Sequence, residues 1–202
     1  MPLWLAEQPL VLASRSQARG KLLAAAGLWF ETRPAEIDER AIEAEAGSPA
    51  PIAAAQLLAR AKALIVSGSQ PGQLVLGADQ TLARGSERFS KPEDRAAAAD
   101  QLRRLSGQTH ELHSAIALVR DGAVVFEHAD SARLTMRSFD DDFIATYLDA
   151  AGTAASASVG GYQLEGIGVH LFEHVEGDYF TILGLPLLPL LACLRQSGWL
   201  SG

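Results

Sequence analysis

The chain is poor in cysteine and in lysine. Of its 202 residues one is a cysteine, Cys193, and a lone cysteine excludes an intramolecular disulfide framework. It lies in the apolar stretch LPLLPLLACLRQSG, where the expected role is that of a core thiol and not of a nucleophile. No apolar run reaches the length of a membrane-spanning helix, and no charged-then-apolar leader begins the chain. The expectation is a soluble, cytoplasmic protein with no membrane partner. A basic surplus is missing too, since the formal net charge is −7. That argues against the broad basic face by which proteins hold polymeric nucleic acid. It leaves room for a small anionic ligand gripped by a few local cations. There is no GxxxxGK[ST] phosphate loop and no GxSxG nucleophile elbow.

What is present is an ordinary folded composition, 48% hydrophobic and 20% charged, long enough for one substantial core or two small lobes. No linker or repeat divides it, so a single domain over residues 1–202 is expected. Apolar runs and helical patterns alternate, then a hairpin follows, which points to α/β architecture with a mixed sheet. A buried strand is expected at 9–14 and a helix at 16–27. A second strand then enters a loop at 28–38, and a helix follows over SPAPIAAAQLLARAKALIVSG. A strand at 73–84 ends in a turn at 84–87. The next helix is placed at 91–107 with Pro92 in its first turn. Two strands over 109–139 meet at Asp121-Gly122, and a helix spans 140–152. A small, Gly-rich loop fills 153–168. One or two strands with a turn at Glu176-Gly177-Asp178 precede a closing helix.

Chemistry gathers at a few junctions. In PLVLASRSQARGKLL a buried strand hands over to a helix, and Ser14, Ser16, Arg19 and Lys21 cluster there. Free backbone N–H groups and the helix dipole make such a junction a phosphate cradle. Taken alone, Ser16 is better read as a helix cap. In VLGADQT, Asp79 arrives at a strand end, the edge where α/β sheets bind ligands. An acid there holds a metal, orients a water or closes an Asx turn. Lysine occurs three times, as Lys21, Lys62 and Lys91, against 14 arginines, which suggests positions that need a compact ammonium. Glu36, Asp38 and Glu39 form an acidic loop that either shares a divalent cation with Asp79 or is simply solvated. His110 and His113 point to opposite faces of a strand. His170 and His174 are expected to share one, without a convincing third zinc ligand.

Taken in order, LASRSQARGKLL, AEIDE, LARAKA, VLGADQT, SKPED, LRRLSGQTHELHSA, GYQLEGIG and EGDYFTILGLPLLPLL resemble the Maf family of nucleotide pyrophosphatases, from about residue 9 to residue 195. The resemblance implies an elongated α/β fold with a deep central cleft, related to the inosine triphosphate pyrophosphatases. It implies hydrolysis of a nucleoside triphosphate to the monophosphate and pyrophosphate, with a divalent cation such as Mg²⁺ or Mn²⁺, as house-cleaning of the nucleotide pool. It also implies a homodimer. By the same resemblance Asp79 is the proton acceptor. Ser14, Ser16, Arg19, Lys62 and Lys91 bind substrate, and Glu36 joins Asp79 at the metal. Ala18, Gln80 and Glu165 mark specificity: DQ and EG look more like the branch acting on 7-methyl-GTP, whereas Ala18 lacks the aromatic often found there. The alternatives are a non-catalytic nucleotide-binding regulator of division or stress and an enzyme for deaminated purines.

Overall fold

The run LVLA forms strand β1 (Leu10–Ala13), and every residue of it is buried. Such a strand needs neighbours on both edges and cover on both faces. It lies parallel to β2 (Phe30–Thr32) on one side and to β3 (Leu74–Arg84) on the other. The computed structural model describes residues 3–202, so Met1 and Pro2 of the expected 1–202 domain lie outside the described residues. β3 pairs antiparallel with β4 (Glu87–Phe89) and, along its other edge, with β5 (Thr109–Arg120). β5 returns as β6 (Ala123–Met136), through Asp121 and Gly122 at φ of 51° and 75°. These left-handed values suit a two-residue hairpin. β7 (Phe172–Glu176) pairs with β6 and completes a seven-stranded mixed sheet of order β2-β1-β3-β5-β6-β7, with β4 on β3.

Helices pack around this sheet: α1 (Gln17–Ala25), α2 (Glu39–Glu45), α3 (Pro51–Ser67), α4 (Arg95–Leu105), α5 (Asp141–Ala151), α6 (Ala154–Ala157), α7 (Tyr179–Ile182) and α8 (Leu187–Gln196). One core cluster joins Leu10, Leu12, Leu76 and Leu118 to Leu190 and Leu194 of α8. Another joins Leu82, Leu112 and Leu134 to α4, α5 and Tyr162. Cys193 is half-buried at the margin of the first. No helix among the described residues is long and apolar enough to cross a membrane.

Several boundaries differ from expectation, each for a local reason. The helix placed at 91–107 begins at Arg95, because the Asp94 carboxylate caps it by accepting the Ala97 N–H. Pro92 stays outside. The acidic loop becomes helix α2, capped by Asp38, which accepts the Ala41 N–H. The Gly-rich stretch contains α6 and two 3₁₀ turns, Val159–Gly161 and Ile167–Leu171. His170 sits in the second of these turns, so it shares no strand face with His174. After the single strand β7, the chain folds into α7, capped by Asp178.

Candidate active site

Asp79 does not end its strand. β3 runs on to Arg84, paired with β5 from Leu74 to Ala83. What ends at this level is β1, whose last residue, Ala13, lies opposite Gly77; β4 begins only opposite Leu82. Residues 78–81 therefore have no strand on that side, and a cleft of about 1200 Å³ opens there. Its walls include Ser14, Lys62, Asp79, Lys91, Glu165 and Gly184.

Gly77 sets the geometry of this gap. A Cβ there would sit 2.0 Å from the Ala59 carbonyl oxygen and 2.8 Å from the Ala63 nitrogen. Only glycine lets the α3 backbone press so closely on β3. The close approach that this glycine permits is thus to a helix. Because α3 is pressed down at Ala59 and Ala63, Lys62 reaches the face of β3 that carries Asp79, two residues beyond Gly77. The Lys62 Nζ donates to Asp79 Oδ1 at 2.6 Å and lies 2.6 Å from Glu39 Oε1. Lys62 and Asp79 side chains are only 13% and 11% exposed. Burial pushes the Asp79 carboxyl above the usual carboxylate range, against the opposing pull of Lys62 and Arg19.

Arg19 is buried behind this pair. Its Nη1 donates to Ser14 Oγ at 2.9 Å and to the Ala78 carbonyl at 2.8 Å, and its Nε donates to the Gly184 carbonyl at 2.8 Å. The guanidinium thereby satisfies β3 where β1 has stopped. Burial lowers its pKa, and the charges of Asp79 and Glu39 oppose the shift. Ser16 caps α1, its Oγ accepting the Arg19 N–H at 3.5 Å. Ser14 Oγ in turn accepts the Ser16 N–H at 3.2 Å. Ser14, Ser16 and Arg19 thus form one knot at the strand–helix junction, as the spacing suggested, with Arg19 turned inward. Lys21 is exposed on α1.

Lys91 is exposed at the cleft in the SKP segment, whose Ser90 carbonyl accepts the Gln101 amide at 2.8 Å. Ala18 and Glu165 also line the cleft, and Glu165 is exposed. Gln80 lines the cleft as well, with its amide nitrogen turned to the protein. Its amide nitrogen lies 3.0 Å from Ser114 Oγ, 3.2 Å from the Thr181 carbonyl and 2.9 Å from the Ile182 carbonyl. Gln80 therefore fastens α7 to the sheet. Glu36, expected beside Asp79, is instead exposed and ion-paired with Arg15. The acid brought to Lys62 and Asp79 is Glu39, one of three acids that the loop pattern alone does not tell apart. Asp38 before a helical pattern is a cap signal, and recognising it would have put Glu39 in the first turn of α2. No group of three or more His, Cys, Asp or Glu side chains placed to hold a metal occurs among the described residues.

Behind the Gly-rich segment, His110 Nε2 lies 2.6 Å from the Tyr162 hydroxyl, and the Tyr147 hydroxyl donates to the Gly161 carbonyl at 3.1 Å. Burial lowers the His110 pKa to about 4, so the imidazole is neutral near pH 7. Tyr162 itself lines the cleft, and these buried contacts hold that wall.

Residues 9–197 match the family model described as Maf-like protein. A protein of Rhodopseudomonas palustris (strain HaA2) named nucleoside triphosphate pyrophosphatase is 59% identical over 196 residues, 97% of each chain. One of Bradyrhizobium diazoefficiens with the same name is 56% identical over 196 residues, again 97% of each. A protein of Rhizobium etli named 7-methyl-GTP pyrophosphatase is 57% identical over 195 residues, 96% of this chain and 98% of that one. Among solved structures, the HAM1 protein of Coxiella burnetii superposes with a TM-score of 0.53 at 16% identity, covering 93% of this chain and 98% of that one, a likeness of fold. With the motifs, the mixed sheet and the cleft in agreement over nearly the whole length, the chain belongs to the Maf family.

Proposed function

We propose that the protein hydrolyses a nucleoside triphosphate to the monophosphate and pyrophosphate in the cleft at the end of β1. The observation that carries this reading is the Lys62 ammonium held between Asp79 and Glu39, with 2.6 Å separations, on the cleft wall. One cation between two acids is a site for a charged substrate: phosphate oxygens compete for the ammonium and release a carboxylate for proton transfer. The nucleotide-handling names of relatives identical to this chain at more than half of the matched positions support the same chemistry.

In this reading Asp79 accepts a proton from water as the water oxygen bonds to the α-phosphorus. The bond between the α-phosphorus and the α,β-bridging oxygen breaks, and pyrophosphate leaves. A base whose pKa is raised toward neutrality by burial suits that task. Lys62 and Lys91 take the negative charge of the phosphates, and Ser14 and Ser16 hold the junction beneath them. Arg19 contributes its positive potential from behind, with its Nε and Nη1 donors engaged by Ser14, Ala78 and Gly184. Electrostatic positioning of this kind dominates phosphoryl chemistry.

The donor set fits a divalent cation that arrives with the nucleotide. Two carboxylates, Asp79 and Glu39, converge on one ammonium, and magnesium is commonly held by one or two carboxylates together with substrate phosphates. Such a cation would neutralise charge developing on the phosphates. Glu39 replaces Glu36 in this assignment because Glu36 is engaged by Arg15. For the base, Glu165 is the exposed carboxylate on the cleft wall, suited to accept hydrogen bonds from guanine or to favour a cationic methylated base. Gln80 acts on selection through α7. A cytoplasmic homodimer built from one two-lobed domain completes the reading.

The test is pyrophosphate release from 7-methyl-GTP, UTP, dTTP, CTP, ITP and the common nucleotides, with Mg²⁺ or Mn²⁺, beside the Asp79→Asn protein. Turnover of at least one nucleotide, abolished by the substitution, is the expected result. Binding without release would make the protein a nucleotide sensor and overturn the hydrolytic reading.

A further inference from the structure

Arg88 and Glu43 also line the cleft, and the mechanism above uses neither. Arg88 stands on β4 and Glu43 in α2, 45 residues apart. Arg88 Nη1 donates to Glu43 Oε2 and Nη2 donates to Glu43 Oε1, each at 2.8 Å. The two side chains are 31% and 21% exposed. A two-point fork of this kind fixes orientation as well as distance. The hydrogen bond to Glu43 raises the Arg88 pKa, assisted by the charges of Glu43 and Asp79.

Helix α2 has need of such a brace. It has seven residues and buries none of them. A helix so short is not held by its own propensity, and with no buried side chain it lacks a hydrophobic anchor. Glu39 and Glu43 are one turn apart and share a face. One meets Lys62 of α3 and the other meets Arg88 of β4. The two ion pairs thus pin the same helix, the Arg88 pair one turn along α2 from Glu39.

We propose that the Arg88–Glu43 fork is the brace that sets α2 so that Glu39 reaches Lys62 beside Asp79, which makes Arg88 a positioning residue and not a phosphate ligand. The role of Glu39 in this inference rests on the proposed pyrophosphatase reading. The position of α2 does not. Exchanging Glu43 for a phosphate on Arg88 would leave a half-buried carboxylate without its partner and release the helix. Lys91, exposed at the cleft and without an ion pair among the described residues, is available for phosphate instead.

The experiment compares Arg88→Gln, Glu43→Gln and the exchanged pair Arg88→Glu with Glu43→Arg. It reads steady-state pyrophosphate release and, on the nucleotide-free protein, amide hydrogen exchange across residues 42–46. Protection of β5 amides verifies folding. Each single change is expected to lower kcat about ten-fold with little change in KM, and to speed exchange in α2 about ten-fold, while the exchanged pair recovers most of both. A raised KM for Arg88→Gln, with Glu43→Gln silent and the exchanged pair worse than either, would make Arg88 a phosphate ligand and overturn the proposal. Unchanged α2 exchange in both single variants would overturn it as well. If wild-type protein releases no pyrophosphate from any nucleotide while the exchange data behave as expected, the function reading fails and the brace stands.

Discussion

A Cβ on Gly77 would come within 2.0 Å of the Ala59 carbonyl oxygen. This absent side chain is what lets α3 lie on β3 closely enough for Lys62 to reach Asp79. Fold and site therefore depend on the same hydrogen atom.

Gly77→Ala is accordingly expected to destabilise the protein by about 3 kcal/mol or more, at the upper end for overpacked cores, because the clash is with backbone on a helix that cannot yield locally. Urea unfolding monitored by circular dichroism reads the change. The fraction that remains folded should lose activity as well, since α3 must shift Lys62 outward. Full activity in a destabilised protein would disconnect the helix contact from the site.

Asp79→Asn should abolish most turnover, by about a hundred-fold or more, as for loss of a general base. Its melting temperature should not fall. Burial raises the Asp79 pKa in the folded state, so ionised Asp79 opposes folding above its unfolded pKa, and the neutral amide removes that penalty. The acidic limb of the kcat/KM profile should lie above the ordinary carboxylate value of about 3.9. Lys62 holds that pKa down, so Lys62→Met should move the limb to still higher pH. A limb that stays in place would remove Asp79 as the titrating base.

His110 provides a pH signature of stability. Its pKa is lowered by burial to about 4, while the unfolded chain takes up the proton near pH 6.5. Between these values the unfolded state binds more protons, so stability is complete above about pH 6.5 and is lost as the pH falls towards 4, by up to about 3 kcal/mol. Thermal melts from pH 7 to pH 4 should fall more steeply for wild type than for His110→Phe. The substitution lowers stability at pH 7 because it strips Tyr162 of its partner, yet the difference between the two proteins should shrink in acid. Parallel curves would refute the assignment.

Glu39 and Glu36 separate by environment. Glu39→Gln should cost about ten-fold or more in turnover, the scale of a lost charge partner in the site. Glu36→Gln should change turnover less than two-fold and stability by less than about 0.5 kcal/mol, because its pair with Arg15 is solvated. A pyrophosphate assay and a melt on both variants decide the matter, and a dead Glu36→Gln with active Glu39→Gln would make Glu36 the metal ligand.

Much of the molecule was legible from local pattern. The LVLA run, the Ala-rich helix after SPAP, the long strand through VLGADQT and the Asp121-Gly122 hairpin all formed where apolar periodicity and turn chemistry put them. These elements are set by interactions between near neighbours in the chain. Errors fell where a side chain had two competing local uses. Asp38 and Asp94 became caps, which moved a helix start to Arg95 and created α2 from an expected loop.

The sequence by itself determined the alternation of strands and helices, the family motifs and the set of charged residues able to do chemistry. Only the tertiary structure decided which of them meet. Lys62 and Asp79 are 17 residues apart and Arg88 and Glu43 are 45 apart, and no periodicity encodes those distances. Glu39 rather than Glu36 reaches Lys62, Arg19 turns inward to meet Gly184, and Gln80, on the cleft wall, fastens α7 with its amide nitrogen. The physical reason is common to all three: direction within a helix or strand follows from local sterics, but the partner of a polar group is chosen by which buried donors and acceptors must be satisfied once the elements have packed.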